Sequence, residues 1–332
     1  MLWTVTMFSG VLSKVAFSCG FGLPQPHFFM KKGVFVMQKK RIFTGIATAL
    51  VTPFKNGEVD YDSFGKFIDW QIAEGIDALV VAGTTGEGST LTDDEHVKVI
   101  EYTVDRACGK VPVIAGTGSN DTSYAINLTK TACKAGVDGV LVVSPYYNKA
   151  TQKGLKEMYE LIADKSDKPV ILYNVPSRTG VNIEPSTYKA LAEHENIVAI
   201  KEANGNISKI VETMSYVHGK LDLYSGNDDQ IVPLMSLGGV GAISVLSNIL
   251  PRKTCEICKK YFAGDIEGAC KLQYELHALT DSLFSEVNPI PVKSAVAHMG
   301  FCENSLRLPL TTMDEGKEKI MLDLMRKQGL DV

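Results

Sequence analysis

Eight short apolar runs, each followed by a stretch with helical periodicity, constrain this chain more than any other feature. The runs cover residues 46–51, 78–82, 111–115, 139–143, 170–173, 198–201, 221–224 and 241–245. They are rich in β-branched residues and do not alternate with polar ones, so they read as strands buried on both faces, as in a parallel sheet. Between them, Phe64, Phe67, Ile68 and Ile72 form an apolar stripe, as do Val97, Ile100, Val104 and Ala107. Ala125, Leu128, Ala132 and Ala135 give a third stripe, and Ile207, Ile210, Val211, Met214 and Val217 a fourth. Each follows the i, i+3, i+4, i+7 spacing of one helix face. Gly75, Gly109, Gly136 and Gly219 sit where a left-handed residue ends a helix, and Thr92 with Glu95 makes a capping box.

Eight β-α units in order predict an α/β fold, a (β/α)8 TIM barrel. The rival is a doubly wound sheet, which wants GxGxxG after its first strand; here that strand runs into Thr52-Pro53-Phe54. The barrel is expected over residues 37–264. Residues 265–332 carry only helical stripes, such as Leu272, Leu276, Leu279 and Leu283, and predict a small helical C-terminal domain. Residues 1–36 contain no Asp or Glu and no steady period, and their first lysine, Lys14, comes too late for the basic start of a secretory signal. They read as an unstructured extension, or as a start assigned too early, with Met37 as the true beginning.

The formal charge of −4 gives no reason to expect nucleic acid or an anionic membrane as partner, and no apolar stretch reaches the about 18 residues of a membrane span. Seven cysteines lack a framework pattern, so reduced thiols and a cytoplasmic location are expected. Cys255 and Cys258 have CxxC spacing but no second pair, and the six histidines are scattered, so no metal site is expected.

In such barrels the chemistry sits at the carboxyl ends of the strands. Lys201 ends the sixth run, where burial would lower its pKa and free an amine to attack a carbonyl. The second run ends in Gly83-Thr84-Thr85-Gly86-Glu87-Gly88, hydroxyls and close-packed amides suited to a carboxylate. The fourth ends in Ser144-Pro145-Tyr146-Tyr147-Asn148, and the fifth leads through Tyr173 to Arg178. Singly, these are ordinary: strand-end lysines reach for solvent and arginines decorate surfaces. Together they suit a 2-oxo acid reacting through an imine, its carboxylate on the hydroxyl turn, while a second anionic substrate meets Arg178.

The motifs GTTGE at 83–87, PYYN at 145–148, YNVPSRTG at 173–180, IKEA at 200–203, SGND at 225–228, NPIPVK at 288–293 and LRLP at 306–309 run through the chain in that order. On these residues the chain closely resembles the dihydrodipicolinate synthase family, class I aldolases related to N-acetylneuraminate lyase, from about Phe43 to the C-terminus. The resemblance implies condensation of pyruvate with L-aspartate 4-semialdehyde in the diaminopimelate route to lysine, without metal or organic cofactor. It implies Lys201 as the Schiff-base residue, Tyr173 as general acid/base, and a relay through Thr85 to Tyr147, which completes a neighbouring subunit's site. Thr84 and Thr85 would bind the pyruvate carboxylate and Arg178 that of the aldehyde, with Gly226 and Ile243 lining the pocket. A homotetramer, a dimer of dimers, is also implied.

A departure from the lysine-inhibited members is Asp93 and Tyr124 where those carry a histidine and a glutamate, with Gly88 and Ser89 at other small positions and His96, Asn120 and Tyr146 kept. Feedback inhibition is therefore expected to be weak or absent. Two alternatives stand beside this reading. One is a Schiff-base aldolase of the same family acting on 2-keto-3-deoxy sugar acids, whose aldehydes offer Arg178 no carboxylate. The other is a barrel that senses a metabolite without turning it over, which would have no use for an imine-forming lysine.

Overall fold

The computed structural model describes residues 28–31, 34–37 and 39–332. Eight parallel strands close into a barrel: β1 Gly45–Ala49, β2 Ala78–Val81, β3 Val113–Gly116, β4 Gly139–Val143, β5 Val170–Asn174, β6 Ile197–Glu202, β7 Asp222–Ser225 and β8 Gly241–Ser244. Each strand pairs with its sequence neighbours, and β8 closes on β1. Side chains alternate along every strand, so two apolar layers form. Ala47, Ile114, Leu141, Ile171, Ala199 and Ile243 fill the barrel interior. Ile46, Leu79, Val140, Leu172, Ile200 and Leu223 face the surrounding helices. By this parity Lys201 points inward and Glu202 outward, which decides their different fates.

The helices between strands are α1 Tyr61–Ala73, α2 Asp93–Ala107, α3 Thr122–Lys134, α4 Gln152–Asp164, α5 Pro185–Leu191, α6 Ile207–Val217, α7 Ile231–Ser236 and α8 Pro251–Phe262. Asp60, Thr92, Asp121, Thr151 and Asn206 each accept a hydrogen bond from the backbone N–H three residues on, starting five of them. Thr92 and Glu95 form the full capping box. Gly75, Gly109, Gly136 and Gly219 all have positive φ at helix ends.

Two stripes are rotated from their expected positions; on α6, Ile207 and Val211 are exposed while Thr213 is buried with Ile210, Met214 and Val217. On α2 the buried face is His96, Val99, Ile100, Thr103 and Ala107, while Val97 and Val104 are half-buried. Polar groups can face inward there because the Thr103 hydroxyl donates to the Val99 carbonyl at 2.7 Å and His96 Nε2 bonds the Gly116 carbonyl at 2.9 Å.

After the turn at Gly264 come α9 Ile266–Ser282, α10 Ile290–His298 and α11 Glu315–Lys327. Residues 39–332, barrel and C-terminal helices together, form one compact unit. A separate unit contains an antiparallel hairpin, Phe28–Lys31 paired with Val34–Met37. The rest of the expected extension lies outside the described residues. Cys255 and Cys258 are buried in α8, the former donating to the Gly75 carbonyl at 3.6 Å. Among the described residues no helix is long and apolar enough to cross a membrane.

Candidate active site

The carboxyl ends of the strands open into one cavity of about 1020 Å³. Lys201, Tyr173, Thr84, Thr85, Arg178 and Gly226 all border it. Sequence distance between them is erased by register: Lys201 on β6 is paired with Tyr173 on β5 and Tyr224 on β7.

Lys201 is 6% exposed, and its Nζ lies 4.2 Å from the centroid of the Tyr173 ring. Burial lowers its pKa to about 8; the Asp228 carboxylate opposes that shift and the Arg178 guanidinium adds to it. At pH 7 an amine with a pKa of 8 is about one-tenth neutral, against roughly one in three thousand at the ordinary value. The cavity therefore holds a usable nucleophile. Gly226 leaves room for it: a Cβ there would stand 3.2 Å from Lys201 Cε and 2.8 Å from Ala203 Cβ.

Glu202, the next residue, faces the other way. Its carboxylate accepts from Asn174 Nδ2, the Tyr188 hydroxyl and the Asn204 N–H, each at 2.9 Å. Burial raises its pKa to about 7, yet every one of these partners ties β6 to its surroundings rather than to the cavity. A perturbed carboxyl beside the nucleophile is here a fastening.

Tyr173 is buried, and that burial raises the pKa of its phenol, with the Arg178 charge and the Thr84 hydroxyl pulling the other way. It keeps its proton at neutral pH and can lend it to an oxygen or nitrogen within hydrogen-bond reach of its hydroxyl. Arg178 comes from the one-turn helix Pro176–Thr179 and stands at the exposed edge of the cavity. Its Nη2 donates to the Asn288 carbonyl at 3.0 Å. Thr84 is exposed to the cavity; Thr85 is buried, its hydroxyl accepting from Asn288 Nδ2 at 3.0 Å.

Two expected site residues lie elsewhere in the single chain. Tyr147 is 90% exposed, with φ of 72°, and does not border the cavity. Ile243 is 1% exposed, packs in the barrel interior in register with Ala47 on β1, and is not among the residues that border the cavity. Asn288 was missed as a site residue although NPIPVK had been noted. It touches both Thr85 and Arg178 from more than a hundred residues away. Asp228, inside the noted SGND, was missed too: its Oδ2 accepts from the Val245 and Leu246 N–H groups at 2.9 Å, and its Oδ1 has no partner among the described residues.

Gly88, Ser89, His96, Tyr124 and Tyr146 border the same cavity. The Tyr124 hydroxyl donates to Asp93 Oδ1 at 2.7 Å, and that contact, with burial, pushes the phenol up to about 12. The phenol's proton is thus committed to Asp93, one of whose oxygens accepts it. Burial leaves the His96 pKa below the ordinary value, while its bond to the Gly116 carbonyl opposes that shift. Asn120 Nδ2 donates to the Tyr146 carbonyl at 3.1 Å.

Residues 42–328 match the model of the dihydrodipicolinate synthetase family. The chain is 55% identical over 291 residues to the 4-hydroxy-tetrahydrodipicolinate synthase of Lachnoclostridium phytofermentans, covering 87% of this chain and 99% of that protein. It is 51% identical to the enzyme of the same name from Acetivibrio thermocellus, covering 88% and 99%. The crystal structure of dihydrodipicolinate synthase from Aquifex aeolicus superposes with a TM-score of 0.85 at 46% identity, over 87% of this chain and 99% of that one. With the closed barrel, the inward lysine and similarity over 87% of its length in agreement, the chain belongs to the dihydrodipicolinate synthetase family.

Proposed function

We propose that this chain carries out the 4-hydroxy-tetrahydrodipicolinate synthase reaction, joining pyruvate to L-aspartate 4-semialdehyde through an imine on Lys201. The observation that carries the reading is the buried Lys201 amine, brought down to about 8, lying 4.2 Å from the Tyr173 ring. The neutral amine attacks the ketone carbon of pyruvate, and Tyr173 supplies a proton as the carbonyl oxygen leaves as water. The resulting iminium draws electrons from the methyl carbon, which loses a proton to give an enamine. That carbon attacks the aldehyde, whose oxygen takes up a proton. The product's own amino group then displaces Lys201, closing the ring and restoring the free amine. The iminium is itself the electron sink, so the sequence of steps draws on no cofactor.

Thr84 and Thr85 suit the pyruvate carboxylate, and Arg178 that of the aldehyde, since a guanidinium grips a carboxylate through two parallel hydrogen bonds. Gly226 keeps the space Lys201 needs, and Ile243 supports the barrel interior beneath this chemistry. Tyr147, exposed and held at positive φ, fits a part in a neighbouring subunit's site within a homotetramer. The Asp93–Tyr124 contact supports weak or absent inhibition by L-lysine. Free thiols at the six cysteines among the described residues fit a cytoplasmic enzyme.

The test is an assay of the purified protein in which pyruvate is consumed only when L-aspartate 4-semialdehyde is present, one for one. Release of pyruvate from a 2-keto-3-deoxy sugar acid at a comparable kcat/KM would favour the sugar-acid aldolase instead.

A further inference from the structure

The turn after β2 is held from behind by an ion pair that the steps above do not use. Lys293 on α10 and Glu87 in the turn have side chains with 0% exposure, and Lys293 Nζ lies 2.7 Å from Glu87 Oε1. The same ammonium donates to the Thr52 carbonyl and sits 4.1 Å from the centroid of Phe54. Thr52 in turn donates its hydroxyl to the Gly86 carbonyl at 2.7 Å. The second oxygen of Glu87 accepts the Arg307 N–H at 3.0 Å, and the Arg307 guanidinium reaches Glu95, at the start of α2, and the Thr90 carbonyl.

The turn needs such a hold. Ala82 and Glu87 both have φ of 53°, a left-handed conformation that side chains disfavour, so its ends are bent against local preference. Space is closed as well: a Cβ on Gly88 would lie 2.3 Å from the Ala82 carbonyl oxygen. Five residues before Lys293, in the same segment, Asn288 holds the Thr85 hydroxyl. The α10 segment thus grips the turn at two points, one at a threonine and one at Glu87. A buried pair of this kind is a poor source of stability, because desolvation of both charges offsets their attraction. It is a good way to fix one geometry.

We propose that Glu87 and Lys293 are positioning residues, whose buried pair fixes the Thr84–Thr85 turn to α10 and so sets the affinity for the 2-oxo acid's carboxylate. The inference rests on the reading that this turn receives pyruvate. Neither residue borders the cavity, so neither touches the substrate.

The experiment compares the parent enzyme, Lys293→Met, and Glu87→Gln/Lys293→Met by melting temperature and by separate KM values for the two substrates. The single change strands a buried carboxylate and lowers the melting temperature; the double change removes both charges and recovers most of it. In the double variant the pyruvate KM is expected to stay raised about tenfold, within the up to ~10²-fold that an ångström of misplacement costs. The aldehyde KM is expected to move less than about twofold. A folded double variant with the parent's pyruvate KM would overturn the proposal. Hydrogen exchange on the unliganded parent tests it without any variant. The amides of residues 83–88 are expected to be as protected as those of β2, and exchange at open-loop rates until pyruvate is added would overturn it. Failure of the parent to form a pyruvate imine on Lys201 would instead fail the functional reading, leaving the exchange result to judge the positioning.

Discussion

Replacing Arg178 with alanine separates the two substrates. The guanidinium lies at the exposed edge of the cavity and spends one N–H on the Asn288 carbonyl, which leaves its other donors for a ligand. A charge-assisted hydrogen bond contributes about 1.5–3 kcal/mol. Partial solvation at the cavity edge places Arg178 near the lower figure, about 1.5 kcal/mol, or about tenfold in kcat/KM for the aldehyde. Pyruvate imine formation should survive. Its pH dependence should move, because Arg178 helps to hold the Lys201 pKa down; without it the pKa rises and imine formation needs a higher pH. The assay varies L-aspartate 4-semialdehyde at saturating pyruvate, then repeats with 3-aminopropanal, the same aldehyde without its carboxylate. Parent and variant should differ about tenfold with the first and less than about twofold with the second. An equal loss with both aldehydes, or imine trapping that fails as badly as turnover, would refute this reasoning and make Arg178 a support for the loop through Asn288.

In the parent, the rate of imine formation should rise with pH and level off above about 8, since only the neutral amine reacts and Lys201 is held near that value; a rise continuing to pH 10 would place the amine in water. L-lysine should leave initial rates almost unchanged at millimolar concentration, and Tyr124→Glu should introduce inhibition by freeing Asp93 and adding a carboxylate; strong inhibition of the parent would mean that the Asp93–Tyr124 contact yields to the ligand. Mixing inactive Tyr147→Phe and Lys201→Ala proteins under conditions of subunit exchange should restore up to about a quarter of parental activity, the share of sites combining an intact lysine with a neighbour's tyrosine in a two-fold pair. No recovery despite demonstrated exchange would confine Tyr147 to its own chain.

The barrel was legible because its strands are buried on both faces and their ends are punctuated by glycine. The structural strands fall within about two residues of the expected runs at each end. Lys201, Tyr173, Thr84, Thr85 and Arg178 were legible because a parallel barrel brings all its strand ends to one mouth. What could not be read was anything depending on a partner far along the chain. The face of α2 turned because Thr103 and His96 found backbone acceptors, a matter of three-dimensional neighbours. Asn288 and Lys293 meet Thr85 and Glu87 across more than two hundred residues, so their motif could be noted without its contacts. The bond between Asp93 and Tyr124 needs α2 and α3 side by side. Ile243 was assigned to the pocket from resemblance; strand parity turns it inward, into the same interior cluster as Tyr173.

The central claim is that Lys201 forms the imine. Borohydride added to the enzyme with pyruvate should reduce that imine and leave one pyruvyl group per chain, a stable secondary amine that peptide mapping places on Lys201. Lys201→Ala, otherwise folded, should take up none. A label on Lys293, Lys149 or any other lysine, or full turnover by the Lys201→Ala protein, would contradict the account.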